Sequence, residues 1–309
     1  MALLFLSDSD DPVAWNAALA KRVPGLDMRV WPETGAAADI DAALVWNHPP
    51  GVLKAFPKLR AILSLGAGVN HVLDDPEIPA DIPIARIVDP GLATGMAEYA
   101  ALAVLRYHRN FDVYERQQRE QRWRRLPIPV TTARRVGVLG LGEIGSACAR
   151  MIAGLGFPVT GWSRTAKSLP GVACYAGPDG LAPFLNTTDI LVCVLPLTAA
   201  TRGIINQTTL AKLPRSAFLI NIARGAHVVD QDLIAALDSG QLAGATLDVF
   251  AHEPLPREHP FWSHPKVTLT PHIASITNPE TAADGVAENL RRLHDGRPLL
   301  YLADRARGY

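Results

Sequence analysis

Three cysteines among 309 residues, with no Cys-x-x-Cys pair and no histidine-rich spacing, leave no material for a disulfide framework or a zinc site. Cys148, Cys174 and Cys193 read as buried thiols in a reducing compartment. Charge of one sign is lacking too. Thirty Lys and Arg face thirty Asp and Glu, which argues against a nucleic-acid or anionic-membrane partner. No apolar run approaches the ~20 residues of a membrane span. Ala2–Leu6 is too short, and lacks the basic start, for a secretory leader. The expected location is therefore the cytoplasm. Internal repeats, low-complexity tracts and ligand clusters at metal spacing are absent as well, so no metal is expected. The most specific absence is local: between Glu143 and Asp179 there is no acidic residue at all.

What is present alternates. Leu3–Leu6, Met28–Trp31, Ala42–Trp46 and Ala61–Leu65 are short apolar runs of strand type, separated by turn-rich or helical stretches such as Val13–Val23. Strand candidates resume at Val136 and continue through Pro158–Trp162, Ile190–Leu195, Ala217–Ile220, Ala245–Val249 and Val267–Leu269. This is an α/β pattern with a mainly parallel sheet. Met96, Tyr99, Ala103, Tyr107, Phe111 and Tyr114 recur at spacings of three and four, which predicts one long helix leading toward Trp123. Asp230 and Gly240 bracket a further helix as N-cap and C′ residues, and Thr277-Asn278-Pro279-Glu280 opens a last one in capping-box form. A chain of 309 residues exceeds the usual single-core limit of about 250–300. Two domains are expected, 1–98 with 276–309 and 99–275, with ligand in the cleft between them.

The mid-chain strand breaks into Gly140-Leu141-Gly142-Glu143-Ile144-Gly145 and then into a helix-like stretch. In a Gly-x-Gly-x-x-Gly turn the first glycine makes the bend, the second admits a pyrophosphate and the third lets helix sit on strand. The helix N-terminus adds unpaired N–H groups and a positive dipole end. The alternative is a glycine-rich turn that binds nothing. Farther on, Ser163-Arg164-Thr165 with Lys167 stands where an NAD-binding unit carries the acid for the ribose 2′-hydroxyl. A carboxylate would repel a 2′-phosphate, whereas a guanidinium forks onto it and a serine hydroxyl adds a bond. Such charge-assisted bonds contribute about 1.5–3 kcal/mol each. The expected cofactor is NADP(H), against the alternative of an ordinary solvated basic turn.

Three polar groups follow later strands. Arg224 lies in Asn221-Ile222-Ala223-Arg224-Gly225, Glu253 after Leu247-Asp248-Val249-Phe250, and His272 in Thr270-Pro271-His272-Ile273-Ala274. Each comes just past a strand's carboxyl end, where open α/β sheets bind ligands. Singly they have plainer readings: a surface ion pair, a helix-start carboxylate, a turn histidine. The repeated position favours chemistry, as a carboxylate anchor, an orienting base and an acid.

These segments together resemble the D-isomer-specific 2-hydroxyacid dehydrogenase family over essentially the whole chain. Within it, Ala43–Trp46, Leu65–Val69, Trp162–Thr165 and the stretch Asp304–Tyr309 are similar to the glyoxylate/hydroxypyruvate reductase group. The resemblance implies two doubly wound parallel-sheet domains, a flavodoxin-like substrate domain and a Rossmann dinucleotide-binding domain. It implies NADPH-dependent reduction of a small 2-oxo acid, glyoxylate to glycolate or hydroxypyruvate to D-glycerate. In that scheme His272 is the general acid, Glu253 pairs with it and favours its protonated form, and Arg224 binds the substrate carboxylate and carbonyl. Backbone N–H groups of Gly66, Ala67, Gly68 and Val69 complete the carboxylate site, and Trp46 either walls the pocket or is a core or interface tryptophan. Along the cofactor the resemblance adds Glu143, Ile144, Leu195, Pro196, Ile222, Ala223, Arg224, Asp248, His272 and Ala274 to the glycines and the basic turn. It also implies a homodimer, with Gln117–Arg125 either reaching the partner or forming a solvated helix end. Asn70, where many members carry Asp, is a departure. The alternatives are a dehydrogenase for another 2-hydroxy acid and a non-catalytic dinucleotide sensor.

Overall fold

The computed structural model describes every residue from Met1 to Tyr309. Contacts gather into two compact units, Met1–Leu92 with Thr277–Tyr309, and Ala93–Ile276. The boundaries thus fall at 92/93 and 276/277, against the expected 98/99 and 275/276.

In the first unit β1 (Ala2–Leu6), β2 (Asp27–Val30), β3 (Ile40–Val45), β4 (Ala61–Ser64) and β5 (Ile84–Ala85) form one sheet in the order β2-β1-β3-β4-β5. Every pairing is parallel. This is the flavodoxin-like winding, with its reversal between β1 and β3. Side-chain alternation serves two covers. Leu3, Phe5, Leu44 and Leu63 pack with Trp15 and Leu19 of the helix Pro12–Ala20 and with Ala283, Val286 and Leu290 of the helix Pro279–His294. Leu4, Ala43, Val45 and Ile62 pack instead with Leu53, Phe56 and Val72. Burial on both faces explains why these strands read as continuous apolar runs. The cap of the last helix differs from expectation by one residue. Asn278, not Thr277, accepts from the Glu280 N–H at 2.9 Å, while the Thr277 hydroxyl donates to the Leu65 carbonyl at 2.8 Å.

The second unit holds β6 (Val136–Leu139), β7 (Val159–Ser163), β8 (Val172–Ala176), β9 (Ile190–Cys193), β10 (Ala217–Asn221), β11 (Leu242–Leu247) and β12 (Val267–Leu269). Their order is β12-β11-β10-β9-β6-β7-β8, all parallel, which is the Rossmann winding with its reversal between β6 and β9. Val136, Val138, Val192 and Ile220 face Ala100, Val104, Cys148 and Ile152. Leu139, Leu191, Leu219 and Leu247 face Phe184, Leu185, Leu233 and Leu237. Burial pushes the Cys148 and Cys193 thiols up to about 12, so neither is a thiolate near neutrality. Cys174, expected buried, is only partly so.

Two expectations about helices need correction, and one helix was not anticipated. The predicted single long helix is two, Pro90–His108 and Phe111–Arg119. Asn110 between them is left-handed at φ +58°, a conformation asparagine tolerates, and its amide donates to the Pro127 carbonyl. Asp230 is the first residue of the helix Asp230–Asp238, with Val229 as the N-cap, whereas Gly240 does take the left-handed position after it at φ +72°. The helix Gly177–Asn186 was hidden by Pro178 and Pro183 within its span.

The glycine turn closes tightly. Gly140 has φ +111°, open to glycine alone, and a Cβ on Gly145 would lie 1.7 Å from the Gly140 carbonyl oxygen. Backbone cannot yield as a flexible side chain would. We therefore expect Gly145→Ala to cost about 1–3 kcal/mol by overpacking. That corresponds to a fall in Tm of roughly 2–12 °C; calorimetry showing an unchanged Tm would contradict this packing.

Candidate active site

Strand register in the second unit brings the functional candidates to one edge. Trp162 pairs with Leu139, Leu139 with Cys193, Cys193 with Asn221, Asn221 with Leu247 and Leu247 with Leu269. All these strands are parallel, so the loops that leave that row leave the same end of the sheet. Gly140–Gly145, Ser163–Lys167, Leu195-Pro196, Ile222–Arg224, Asp248–Glu253 and Thr270–Ala274 are those loops.

Arg224 is half-buried in an extended conformation ahead of a single 3₁₀ turn, Gly225–His227. Gly225 allows this turn to lie against the next loop, since a Cβ there would stand 1.8 Å from the Phe250 carbonyl carbon. Asn221, fully buried at the end of β10, shapes the turn from below. Its amide donates to the Arg224 carbonyl at 3.1 Å and its oxygen accepts from the Ala223 N–H at 3.2 Å. The Arg224 guanidinium donates to the Ala223 carbonyl at 2.7 Å. Burial lowers the Arg224 pKa from the usual arginine value, opposed by the charge of Glu253.

Glu253 and His272 form a pair, with Oε2 at 2.7 Å from Nδ1, while Oε1 accepts from the Phe250 N–H at 2.8 Å. Burial works against the Glu253 charge. The bonds from His272 and Phe250, with the charges of His272 and Arg224, outweigh it and hold the carboxyl below its ordinary value. His272 itself sits at φ +56°. Its loop is gathered by Asp248, which is fully buried. Oδ1 accepts from the Thr270 hydroxyl at 2.6 Å and the Ile273 N–H at 2.8 Å, and Oδ2 from the Ala274 N–H at 2.9 Å. The His272 N–H donates to the Asp248 carbonyl at 2.8 Å. Tyr99 reaches the same network through Thr270, and burial raises its phenol above the ordinary tyrosine range. The geometry makes a hydrogen-bonded acid–base couple and a guanidinium, all at the sheet's carboxyl edge.

The residues present fit a phosphorylated dinucleotide. Gly142 caps the twelve-residue helix Glu143–Gly154, and a Cβ there would meet nothing within 4 Å, so backbone is open to an approaching phosphate. Arg164, Thr165 and Lys167 are exposed beyond β7, with no carboxylate among them. Ser163 departs from expectation in one respect: it is buried, and its hydroxyl already donates to the Thr165 carbonyl at 2.7 Å. It would have to turn to reach a 2′-phosphate.

In the first unit the Gly66–Val69 loop follows β4. The Gly66 N–H is taken by the Ser64 hydroxyl at 3.2 Å, whereas none of the amides of Ala67, Gly68 and Val69 donates within the chain. Trp46 is half-buried, its ring 4.5 Å from that of His71 and packed so closely on Gly66 that a Cβ there would stand 2.4 Å from Cζ3.

Sequence reasoning missed Asn221, His227, Thr270 and Tyr99 as supports, and named Asp248 only beside the cofactor. The available signal was a polar residue ending an otherwise apolar strand, as in Leu219-Ile220-Asn221 and Thr246-Leu247-Asp248.

Residues 101–274 match the model of the NAD-binding domain of D-isomer-specific 2-hydroxyacid dehydrogenases. The chain is 42% identical to a protein of Yersinia enterocolitica named glyoxylate/hydroxypyruvate reductase A, over 100% of both. It is similar to a D-isomer-specific 2-hydroxyacid dehydrogenase from Xanthobacter autotrophicus, solved with NADPH and MES, at 45% identity and TM-score 0.95 over 100% of this chain and 99% of that one. It is also similar to an NADPH-dependent glyoxylate/hydroxypyruvate reductase from Sinorhizobium meliloti, solved with NADP and sulfate, at 37% identity and TM-score 0.93 over 100% of both.

A carboxyl whose folded pKa is lowered stabilises the fold above its unfolded pKa, and that contribution disappears as pH falls through the folded value. Glu253→Gln should therefore be less stable than the parent at neutral pH. The difference should shrink below about pH 4.3, the ordinary glutamate value. Urea titrations of both proteins across pH would check this, and a pH-independent difference would contradict it.

Proposed function

The chain belongs to the D-isomer-specific 2-hydroxyacid dehydrogenase family, and on that footing we propose that it catalyses NADPH-dependent reduction of a small 2-oxo acid, glyoxylate or hydroxypyruvate. The observation that carries the reading is the Glu253–His272 couple together with Arg224, held at the carboxyl ends of adjacent strands of a sheet that opens with the glycine turn. The name of the Yersinia relative and the NADPH and NADP in the two solved structures support it.

In this mechanism NADPH, when bound, supplies the hydride. The Gly140–Gly145 turn and the helix N-terminus after it hold the pyrophosphate, and Arg164 with Lys167 meets the 2′-phosphate. Arg224 pairs with the substrate carboxylate and carbonyl oxygen, fixing the face open to attack. Glu253 engages Nδ1 of His272, leaving Nε2 as the ring atom that gives a proton to the forming alkoxide. The amides of Ala67, Gly68 and Val69 are proposed as further carboxylate donors, and Trp46 as a limit on substrate size.

Initial rates with glyoxylate and hydroxypyruvate, each with NADPH and NADH, test the reading directly. We expect turnover with NADPH preferred, and a fall in kcat/KM of roughly 10²–10⁴ for both Arg224→Ala and His272→Ala. Wild-type protein that binds NADPH and reduces neither acid would move the reading to another 2-hydroxy acid or to a sensor.

The reading includes a cytoplasmic homodimer. Trp123 is 95% exposed in the single chain, an apolar ring that contact with a second copy would cover. Light scattering should give twice the chain mass of 33.3 kDa; a monomer at all concentrations would remove this part.

A further inference from the structure

Arg224 is placed by a neighbour that the proposed chemistry does not use. The ring of His227 is fully buried three residues later. Its Nδ1 lies 3.2 Å from the Arg224 N–H and its Nε2 lies 3.3 Å from the Pro196 carbonyl oxygen. A neutral imidazole carries one proton, and the two tautomers are not equivalent here. With the proton on Nε2, the ring donates to Pro196 and accepts from Arg224, so both contacts are bonds. With the proton on Nδ1, two N–H groups oppose one another at Arg224, a bond is kept only to the Arg224 carbonyl at 3.0 Å, and the Nε2 lone pair faces the Pro196 oxygen. Burial lowers the ring's pKa below the ordinary histidine value. Its bonds to the Pro196 and Arg224 carbonyls oppose this, and the charges of Arg224 and Arg202 add to it.

The same turn is stitched to the segment that follows β9. The Gly203 N–H donates to the Ala226 carbonyl and the Ile205 N–H to the His227 carbonyl, each at 2.9 Å. Pro196, which also receives the Thr201 hydroxyl at 2.7 Å, begins that segment. His227 therefore bonds at one nitrogen to the loop assigned to cofactor and at the other to the backbone of the residue assigned to substrate.

We propose that His227 is a positioning residue with two separable arms, Nδ1 holding the backbone of Arg224 and Nε2 holding the Leu195-Pro196 loop. The inference rests on the proposed reading of Arg224 and of Leu195-Pro196.

Two partial isosteres separate the arms of the ring. Asparagine reaches the place of Nδ1 and can accept from Arg224, but leaves Pro196. Glutamine reaches the place of Nε2 and can donate to Pro196, but leaves Arg224. Losing one neutral hydrogen bond corresponds to about a 3- to 10-fold change. With glyoxylate and NADPH, His227→Gln should raise KM for glyoxylate by about that factor and leave NADPH Kd within about twofold. His227→Asn should do the reverse. If both variants keep the wild-type constants, or both raise the two constants equally, the two-armed positioning is overturned. Nitrogen-15 NMR of histidine-labelled wild-type protein needs no variant to fold. A protonated Nε2 with a bare Nδ1 supports the proposal, and a protonated Nδ1 overturns it. NADPH titration and the tautomer do not depend on turnover. Wild-type protein inactive on 2-oxo acids, yet with the Nε2–H tautomer and weakened NADPH binding in His227→Asn, would sink the functional reading and leave the positioning by His227 standing.

Discussion

The side chain of Asp248, closed off from solvent beyond the end of β11, draws in a hydroxyl and two backbone N–H groups from Thr270, Ile273 and Ala274. Between those donors lies His272, in a left-handed conformation that costs a residue with a Cβ roughly 1–2 kcal/mol. The loop pays for that backbone through Asp248. Each donor left without its acceptor would cost about 1–3 kcal/mol, so the network exceeds the strain it holds. Where His272 stands, and with it the Glu253 contact, follows from this one carboxylate.

A division of labour recurs across the sheet edge. The side chains proposed to carry the chemistry are open to the surroundings: His272 and Glu253 keep 34% and 35% of their side-chain surface. Their supports are sealed, with Asn221, His227 and Asp248 all at 0%. A reacting group must meet ligand, whereas a support works best where water cannot compete for its bonds. Asn221 and His227 hold the Arg224 backbone as Asp248 holds that of His272, and each ties a loop to the end of a strand in the same row.

How much of this was legible depends on the range of the interaction that made it. The glycine turn, most of the strands and the three strand-end groups are written in neighbouring residues; their alternation gives a parallel α/β sheet, whereas the winding of the two sheets was implied by the family resemblance. The break at Asn110 was not legible because apolar spacing continues across it from Tyr107 to Phe111 and Tyr114, while a left-handed residue leaves no mark in that spacing. The last helix starts one residue late because Thr277 and Asn278 are both competent caps, and a distant carbonyl on Leu65 engages the threonine. The strands β5 and β8 were missed because one is two residues long and the other, Val-Ala-Cys-Tyr-Ala, carries few branched residues. The role of Asp248 joins residues more than twenty apart, and His227 reaches back to Pro196; no local pattern encodes either.

The first unit is interrupted in sequence, and this bears on how the chain is made. Its sheet leaves the ribosome first, yet Ala283, Val286 and Leu290, which cover Leu3, Phe5 and Leu44, are translated only after the whole Ala93–Ile276 unit. That second unit has every strand and both covers of its sheet within one continuous stretch. During synthesis the nascent first sheet must carry one apolar face incompletely covered until the final helix emerges. The core of the first unit is thus complete only after every residue of the second unit has been made.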